Sequence, residues 1–329
     1  MSELKKILLK KSQESQKIAR NIYLDDIFQN MMPVYEKRIR SIPQDVQKKF
    51  EKRAKKLTID VDDAWADFYR DFNEVIICTY IKREFGIEMK KIKEGSSSSP
   101  DFEIGKGKNK FYGELKSLDF STGLINQKKT QEKFLESNIE IERQQKKGQK
   151  ISFAEMSIDP WDNGQPNYKA CSVKYTIEEL HKKILNNYKA SQFKKGDTIF
   201  FISMNLLPLN HKFEDAVYPI FVSKIVKCLV SGILWNVAFG KKGDYIYNEI
   251  EFTGKPNIEG FLETNGFLLE KTDADLDNIK ALVFCNARDG KIDFYSLYRK
   301  EEKKAYIKFL DKISTRKNDM YNTFFFERK

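Results

Sequence analysis

Two short apolar runs constrain this chain more than any other part of it: Pro100-Asp101-Phe102-Glu103-Ile104 and Phe111-Tyr112-Gly113-Glu114-Leu115-Lys116. Between them Lys106, Lys108 and Lys110 alternate with Gly105, Gly107 and Asn109, a polar stretch suited to a turn between paired strands. Alternate residues of a strand point to the same face, so Glu114 and Lys116 share one, and a hairpin brings Asp101 beside them. Converging carboxylates repel each other and invite a divalent cation, while an ammonium next to them positions or deprotonates a water. This is the equipment for metal-assisted hydrolysis of a phosphodiester.

The triplet Glu-x-Lys carries little weight alone, because it also occurs at Glu3-Leu4-Lys5, Glu88-Met89-Lys90 and Glu301-Glu302-Lys303. Pro-Asp occurs once, one hairpin upstream of the Glu-x-Lys that lies in an apolar strand pattern. Pro100-Asp101 followed by Glu114-Leu115-Lys116 resembles the signature of the PD-(D/E)xK nuclease superfamily, over about residues 65–205. The resemblance implies an α/β fold with a restriction-endonuclease-like core: a helix, a mixed central sheet with a β-meander, a second helix and a further strand. It implies metal ligation by Asp101, Glu114 and the backbone carbonyl of Leu115, with Lys116 acting on the attacking water. Oxygen-only ligands suit Mg²⁺, with Mn²⁺ able to substitute.

The flanking sequence fits that order. Trp65, Phe68, Tyr69, Phe72, Val75, Ile76 and Tyr80 recur at helical spacing, predicting an amphipathic helix over 59–85 that stops at Phe85-Gly86. Glu74 lies on this helix with Cys78 and Ile81 one turn later on its face, so the face is not simply solvated. It resembles the acidic residue that many members of the superfamily carry there, and is expected as a further metal ligand or water-orienting carboxylate. Ile87–Ile92 is the expected first strand. Ile177, Leu180, Ile184, Leu185 and Tyr188 predict the second core helix, and Thr198–Ser203 is a short β-favouring run suited to a central strand. That helix is expected to end near Gln192-Phe193; in several families of the superfamily its polar residues approach the active site, which makes Lys189 and Gln192 candidates by position, with a plain surface role the leading expectation for either.

With 40% hydrophobic and 33% charged residues the composition is that of a soluble globular protein, and the net charge of +11 favours a polyanionic partner, nucleic acid first. The start of the chain has no sustained apolar segment, and the most apolar run, 217–240, is interrupted by Lys224 and Lys227, so the expectation is no membrane span and a cytoplasmic location. Cys78, Cys171, Cys228 and Cys285 are far apart, which argues against a zinc ribbon or a disulfide framework. His181 and His211 form no metal signature, and no phosphate-binding Gly-x-x-x-x-Gly-Lys loop is present, so an ATP-driven step needs a partner.

Along the chain, residues 1–58 read as a basic helical region whose aromatics, such as Tyr23, Phe28 and Tyr35, pack inward. Its lysines either contact phosphates or belong to a solvated helical bundle or dimerisation arm. Residues 59–205 form the nuclease core, with a charged insertion at about 120–175 whose polar stretch 126–150 reads as a charged helix followed by a loop. Residues 206–329 form an α/β extension packed on the core: a buried helix over 218–239, strands Ile279–Cys285 and Lys291–Ser296 joined at Asp289-Gly290 that extend the core sheet, a charged helix over 300–314, and a Phe324-Phe325-Phe326 tail expected to dock. The reading that follows is a metal-dependent endonuclease acting on double-stranded DNA, in restriction or anti-phage defence. The alternatives are a Holliday-junction or repair nuclease, an RNA nuclease, and a nucleic-acid-binding assembly protein with an inactive nuclease fold. Cutting both strands favours a homodimer, and further defence-system subunits are open partners.

Overall fold

The structure is a computed structural model that describes residues 1–18, 21–59, 62–92, 99–119, 124–149, 151–154, 172–206, 216–223, 228–249, 258–269, 276–299 and 305–318. Helices α1 (Glu3–Ile18), α2 (Ile22–Asp26), α3 (Met32–Arg38), α4 (Gln44–Lys56) and α5 (Asp62–Phe85) come first. Strands β1 (Met89–Lys91), β2 (Phe102–Ile104) and β3 (Phe111–Asp119) follow, then α6 (Leu124–Lys146), α7 (Val173–Asn187) and β4 (Thr198–Leu206). The remainder comprises β5 (Ile220–Ser223), β6 (Cys228–Ser231), α8 (Ile233–Phe239), β7 (Tyr245–Glu249), β8 (Ile258–Phe261), β9 (Ile279–Arg288), β10 (Lys291–Tyr298), α9 (Ala305–Ile313) and β11 (Arg316–Lys317).

The chain is mixed α/β around one mixed sheet of order β1-β2-β3-β4-β9-β10-β11. The first three strands form an antiparallel meander, β3, β4 and β9 run parallel, and β10 turns back antiparallel against β9. β4 lies at the centre, and its sequence shows why. Thr-Ile-Phe-Phe-Ile-Ser-Met-Asn-Leu is apolar almost throughout because helices cover both of its faces. Ile199 and Phe201 join one core with α2–α5 and α9, whereas Phe200, Ile202 and Met204 join a second core with α7 and α8. Burying one such side chain contributes on the order of 2 kcal/mol.

Helix α5 forms where its aromatic spacing requires. Trp65, Phe68, Tyr69, Phe72, Ile76 and Tyr80 are buried, and the helix stops where the Gly86 N–H donates to the Lys82 carbonyl. The N-terminal helices share its core, with Tyr23 and Tyr35 buried and Phe28 packed against it. Arg38 on α3, itself buried, pairs with Glu84 at 2.9 Å, lies 4.3 Å over the Tyr80 ring and donates to the Gly290 carbonyl at 3.1 Å. The turn it meets has positive φ at both Asp289 (53°) and Gly290 (75°), the backbone a two-residue hairpin needs to match strand twist.

The C-terminal expectations divide. Both strands of the Asp289-Gly290 hairpin extend the main sheet, and the charged segment ends in α9. The single buried helix over 218–239 is incorrect. That stretch contains β5 and β6 of a separate antiparallel sheet, β5-β6-β7-β8, followed by the short α8. Ile220, Val222 and Val230 are β-branched, and Gly232, whose N–H donates to the Pro219 carbonyl, separates the hairpin from the helix. Short apolar runs do not by themselves distinguish a buried strand from a buried helix. The Phe324–Phe326 tail and residues 155–171 lie outside the described residues. Among the described residues, no helix is long and apolar enough to cross a membrane.

Gly105 sets the turn of the β2–β3 hairpin. Its φ of 81° disfavours any other residue, and an added Cβ would collide with the backbone carbonyl of Asn109. Gly105→Ala is expected to lower unfolding free energy by about 1–3 kcal/mol, checked by urea denaturation; an unchanged midpoint contradicts this role for the turn.

Candidate active site

The pairing of Phe102 with Gly113 places Asp101 beside Glu114 across β2 and β3. Each carboxylate then grips the opposite strand: the Asp101 N–H donates to Glu114 Oε2 at 3.1 Å, and the Leu115 N–H donates to Asp101 Oδ2 at 2.8 Å. The Ile92 N–H donates to the Asp101 carbonyl at 2.8 Å, which fixes the same point from the β1 side. Glu114 is fully buried, whereas Lys116, two residues on, is 23% exposed and places its Nζ 2.6 Å from Glu114 Oε1. That oxygen accepts no well-directed hydrogen bond despite the short ionic contact.

The electrostatics follow from this burial. Desolvation, and then the adjacent Asp101 charge, push the Glu114 carboxyl up to about 7, with Lys116 opposing. Burial also raises Asp101, against the Leu115 N–H, Lys116 and a side-chain hydrogen bond with Glu114. Both shifts favour the protonated form of the pair over two bare carboxylates. A divalent cation at this point would compensate the charge of both carboxylates. The donor set is two hard carboxylates, one with a buried oxygen that lacks a directed donor, and it fits Mg²⁺ or Mn²⁺.

Of the residues anticipated from sequence, Asp101, Glu114, Leu115 and Lys116 are brought together, and Leu115 contributes its N–H to Asp101. Glu74 is near but differently engaged. Its Oε1 lies 2.6 Å from Lys91 Nζ, and its pKa is raised by burial, with the Asp101 charge also adding. Among the described residues, no group of three or more His, Cys, Asp or Glu is gathered as a metal cage, so Glu74 stands beside the pair rather than within it. Lys91 had no sequence signal, because only folding places β1 against α5. Asn73 is likewise new. It is buried, and its Nδ2 donates to Ser117 Oγ at 2.8 Å, joining α5 to β3 one residue from both Glu74 and Lys116. Gln192, expected at the surface, is buried in the 3₁₀ turn after α7.

A second polar contact anchors the N-terminal helices to α5. Asp26 on α2 accepts from Tyr69 Oη at 2.9 Å and from Asn30 Nδ2 at 2.7 Å, and its burial raises its pKa. No protein-family model, curated protein or solved structure matches the chain, so the class it belongs to rests on fold and geometry: a mixed α/β protein with a fully buried glutamate, a partly buried aspartate beside it and an adjacent lysine.

A carboxyl whose folded pKa is raised binds its proton more tightly in the folded state. Its stabilisation is complete below the unfolded value, near 4.5 for Glu114, and is lost as pH rises through about 7. The metal-free protein is therefore expected to lose stability from pH 5 to pH 8, and Glu114→Gln to flatten that loss. Mg²⁺ is expected to restore stability at pH 8 more than at pH 5. Urea midpoints across this range check it, and parallel pH profiles for the two proteins contradict it.

Proposed function

We propose that this chain is a Mg²⁺-dependent nuclease of the PD-(D/E)xK type that hydrolyses DNA phosphodiester bonds, acting in restriction or anti-phage defence. The observation that carries the reading is the convergence of Asp101 and Glu114 on neighbouring strands, with Lys116 Nζ 2.6 Å from Glu114. Its support is the order of elements around them, α5, then the β1-β2-β3 meander, then α7, then β4 parallel to β3. A restriction-endonuclease-like core has that order. Residues 1–58 and 206–329 are additions to it.

Asp101 and Glu114 would hold the cation, which supplies Lewis-acid stabilisation of charge on the scissile phosphate and acidifies the attacking water. Lys116 is partly exposed next to the buried Glu114, where its ammonium would orient the water and meet negative charge as it develops on the phosphate. Glu74, held by Lys91, contributes a further carboxylate at the rim. The exposed lysines 48, 49, 52 and 56 of α4 have no ion-pair partner among the described residues and suit phosphate contacts, as does the net charge of +11. One such site cuts one strand, so cleavage of duplex DNA calls for a homodimer.

The test is metal-dependent cleavage of linear duplex, phage, branched and RNA substrates. Discrete bands from linear duplex support site-specific defence, and preferential cutting of branched DNA supports junction or repair work. Asp101→Asn, Glu114→Gln and Lys116→Ala are each expected to lower cleavage by about 100-fold or more. Retained Mg²⁺-dependent cleavage in the Asp101→Asn protein overturns the assignment, and DNA binding without cleavage under any Mg²⁺ or Mn²⁺ condition favours an inactive assembly fold.

A further inference from the structure

Glu74 is brought beside the carboxylate pair by packing and is then taken up by a lysine. The buried Asn73 side chain donates to Ser117 Oγ on β3 at 2.8 Å, so the turn of α5 that carries Glu74 has a fixed position. Lys91, the last residue of β1, places its Nζ 2.6 Å from Glu74 Oε1. Lys91 pairs with Phe102, and the Ile92 N–H donates to the Asp101 carbonyl, so the backbone of Lys91 lies diagonally across from Asp101. The two acids keep this ammonium charged. Desolvation would lower its pKa, but Glu74 and then Asp101 hold it above the ordinary lysine value. Asp101 responds in turn, since Lys91 is among the charges that oppose the rise caused by its burial.

An ammonium held this closely competes with a metal ion for the same carboxylate. Mg²⁺ binds carboxylate oxygen at about 2.0–2.1 Å, so an ion on Glu74 Oε1 would lie no more than about 5 Å from Lys91 Nζ, and the two cations would repel. The charge of the whole site points the same way. Fully ionised, Glu74, Asp101 and Glu114 carry three negative charges, and Lys91 and Lys116 return two positive ones. Asp71, the other acid whose charge reaches both Glu74 and Lys91, is paired with Arg53. One divalent ion turns the remaining negative charge into a single positive charge, which one phosphodiester neutralises. A second ion would leave three positive charges in one partly buried site.

We propose that the Lys91 ammonium stands in for a second metal ion, so that the site takes one divalent cation, on Asp101 and Glu114, and Glu74 serves as the partner of Lys91 rather than as a metal ligand. The inference rests on the nuclease reading and adds to it a metal count and a role for Lys91. As a fixed charge on β1, the ammonium needs no loading and is present before substrate arrives.

The experiment counts Mn²⁺ bound per chain in the absence of DNA, by titration calorimetry and by the electron paramagnetic resonance signal of free Mn²⁺. Ions belonging to the site are those that Asp101→Asn or Glu74→Gln abolishes. The unaltered protein is expected to bind one such Mn²⁺, lost in Asp101→Asn and kept in Glu74→Gln. Lys91→Ala is expected to raise the count from one to two, because Glu74 is left without its cation. Lys91→Arg is expected to return it to one, and Glu74→Gln added to Lys91→Ala is expected to remove the second ion. Circular dichroism accompanies each variant. Two site ions on the unaltered protein, one of them lost in Glu74→Gln, overturn the inference. A folded Lys91→Ala protein that still binds a single Mn²⁺ also overturns it. Either result leaves the nuclease reading standing if the unaltered protein shows Mg²⁺-dependent cleavage. An unaltered protein that binds no Mn²⁺ at the site and cleaves nothing overturns both.

Discussion

The mutual grip of Asp101 and Glu114 is the interaction on which the site depends. Each carboxylate accepts a backbone N–H from the other's strand, so the ladder cannot shift by a residue without orphaning both. Burying two acids side by side is costly unless protons, donors or cations offset the charge. Here the offset is partial, consisting of two N–H groups and one lysine. An apolar residue at position 114 would pack into the same sheet without that cost. A glutamate at the covered centre of β3 is a local conflict between burial and charge, of the kind that marks a candidate site.

The rest of the architecture buries Glu114 and holds the pair in register. β4 lies beside β3 with both faces covered, so one side of the Glu114 backbone is paired deep in the sheet. Helix α5 covers the meander, and its Asn73–Ser117 hydrogen bond fixes the helix to β3 close to Glu74 and Lys116. The N-terminal helices belong to the same core. Asp26 meets Tyr69 on α5, and Arg38 joins Glu84, Tyr80 and the β9–β10 turn. These buried polar links are directional, so they specify orientation where the surrounding apolar contacts supply most of the free energy.

Regular periodicity made much of this legible beforehand. The aromatics of α5, the apolar face of α7 and the β-favouring run of β4 each express one repeat strongly enough to place an element. The Asp289-Gly290 turn was readable because few residue pairs accept positive φ twice. The stretch 218–239 was not legible, because an apolar run with no clear repeat suits either a strand pair or a helix and neighbours decide between them. Lys91 and Gln192 were hidden for a related reason: β1 carries its lysine to Glu74, and a 3₁₀ turn folds Gln192 inward, only once the layers are assembled.

The sequence by itself determined that Asp101, Glu114 and Lys116 lie on adjacent strands of a hairpin, because strand alternation and a polar glycine-rich turn are local properties of the backbone. Only the tertiary structure decided that Glu114 is sealed from water while Lys116 reaches it, and that Glu74 is held by Lys91 beside the pair. Burial and charge compensation depend on residues distant in the chain, and no local pattern encodes which of them will arrive.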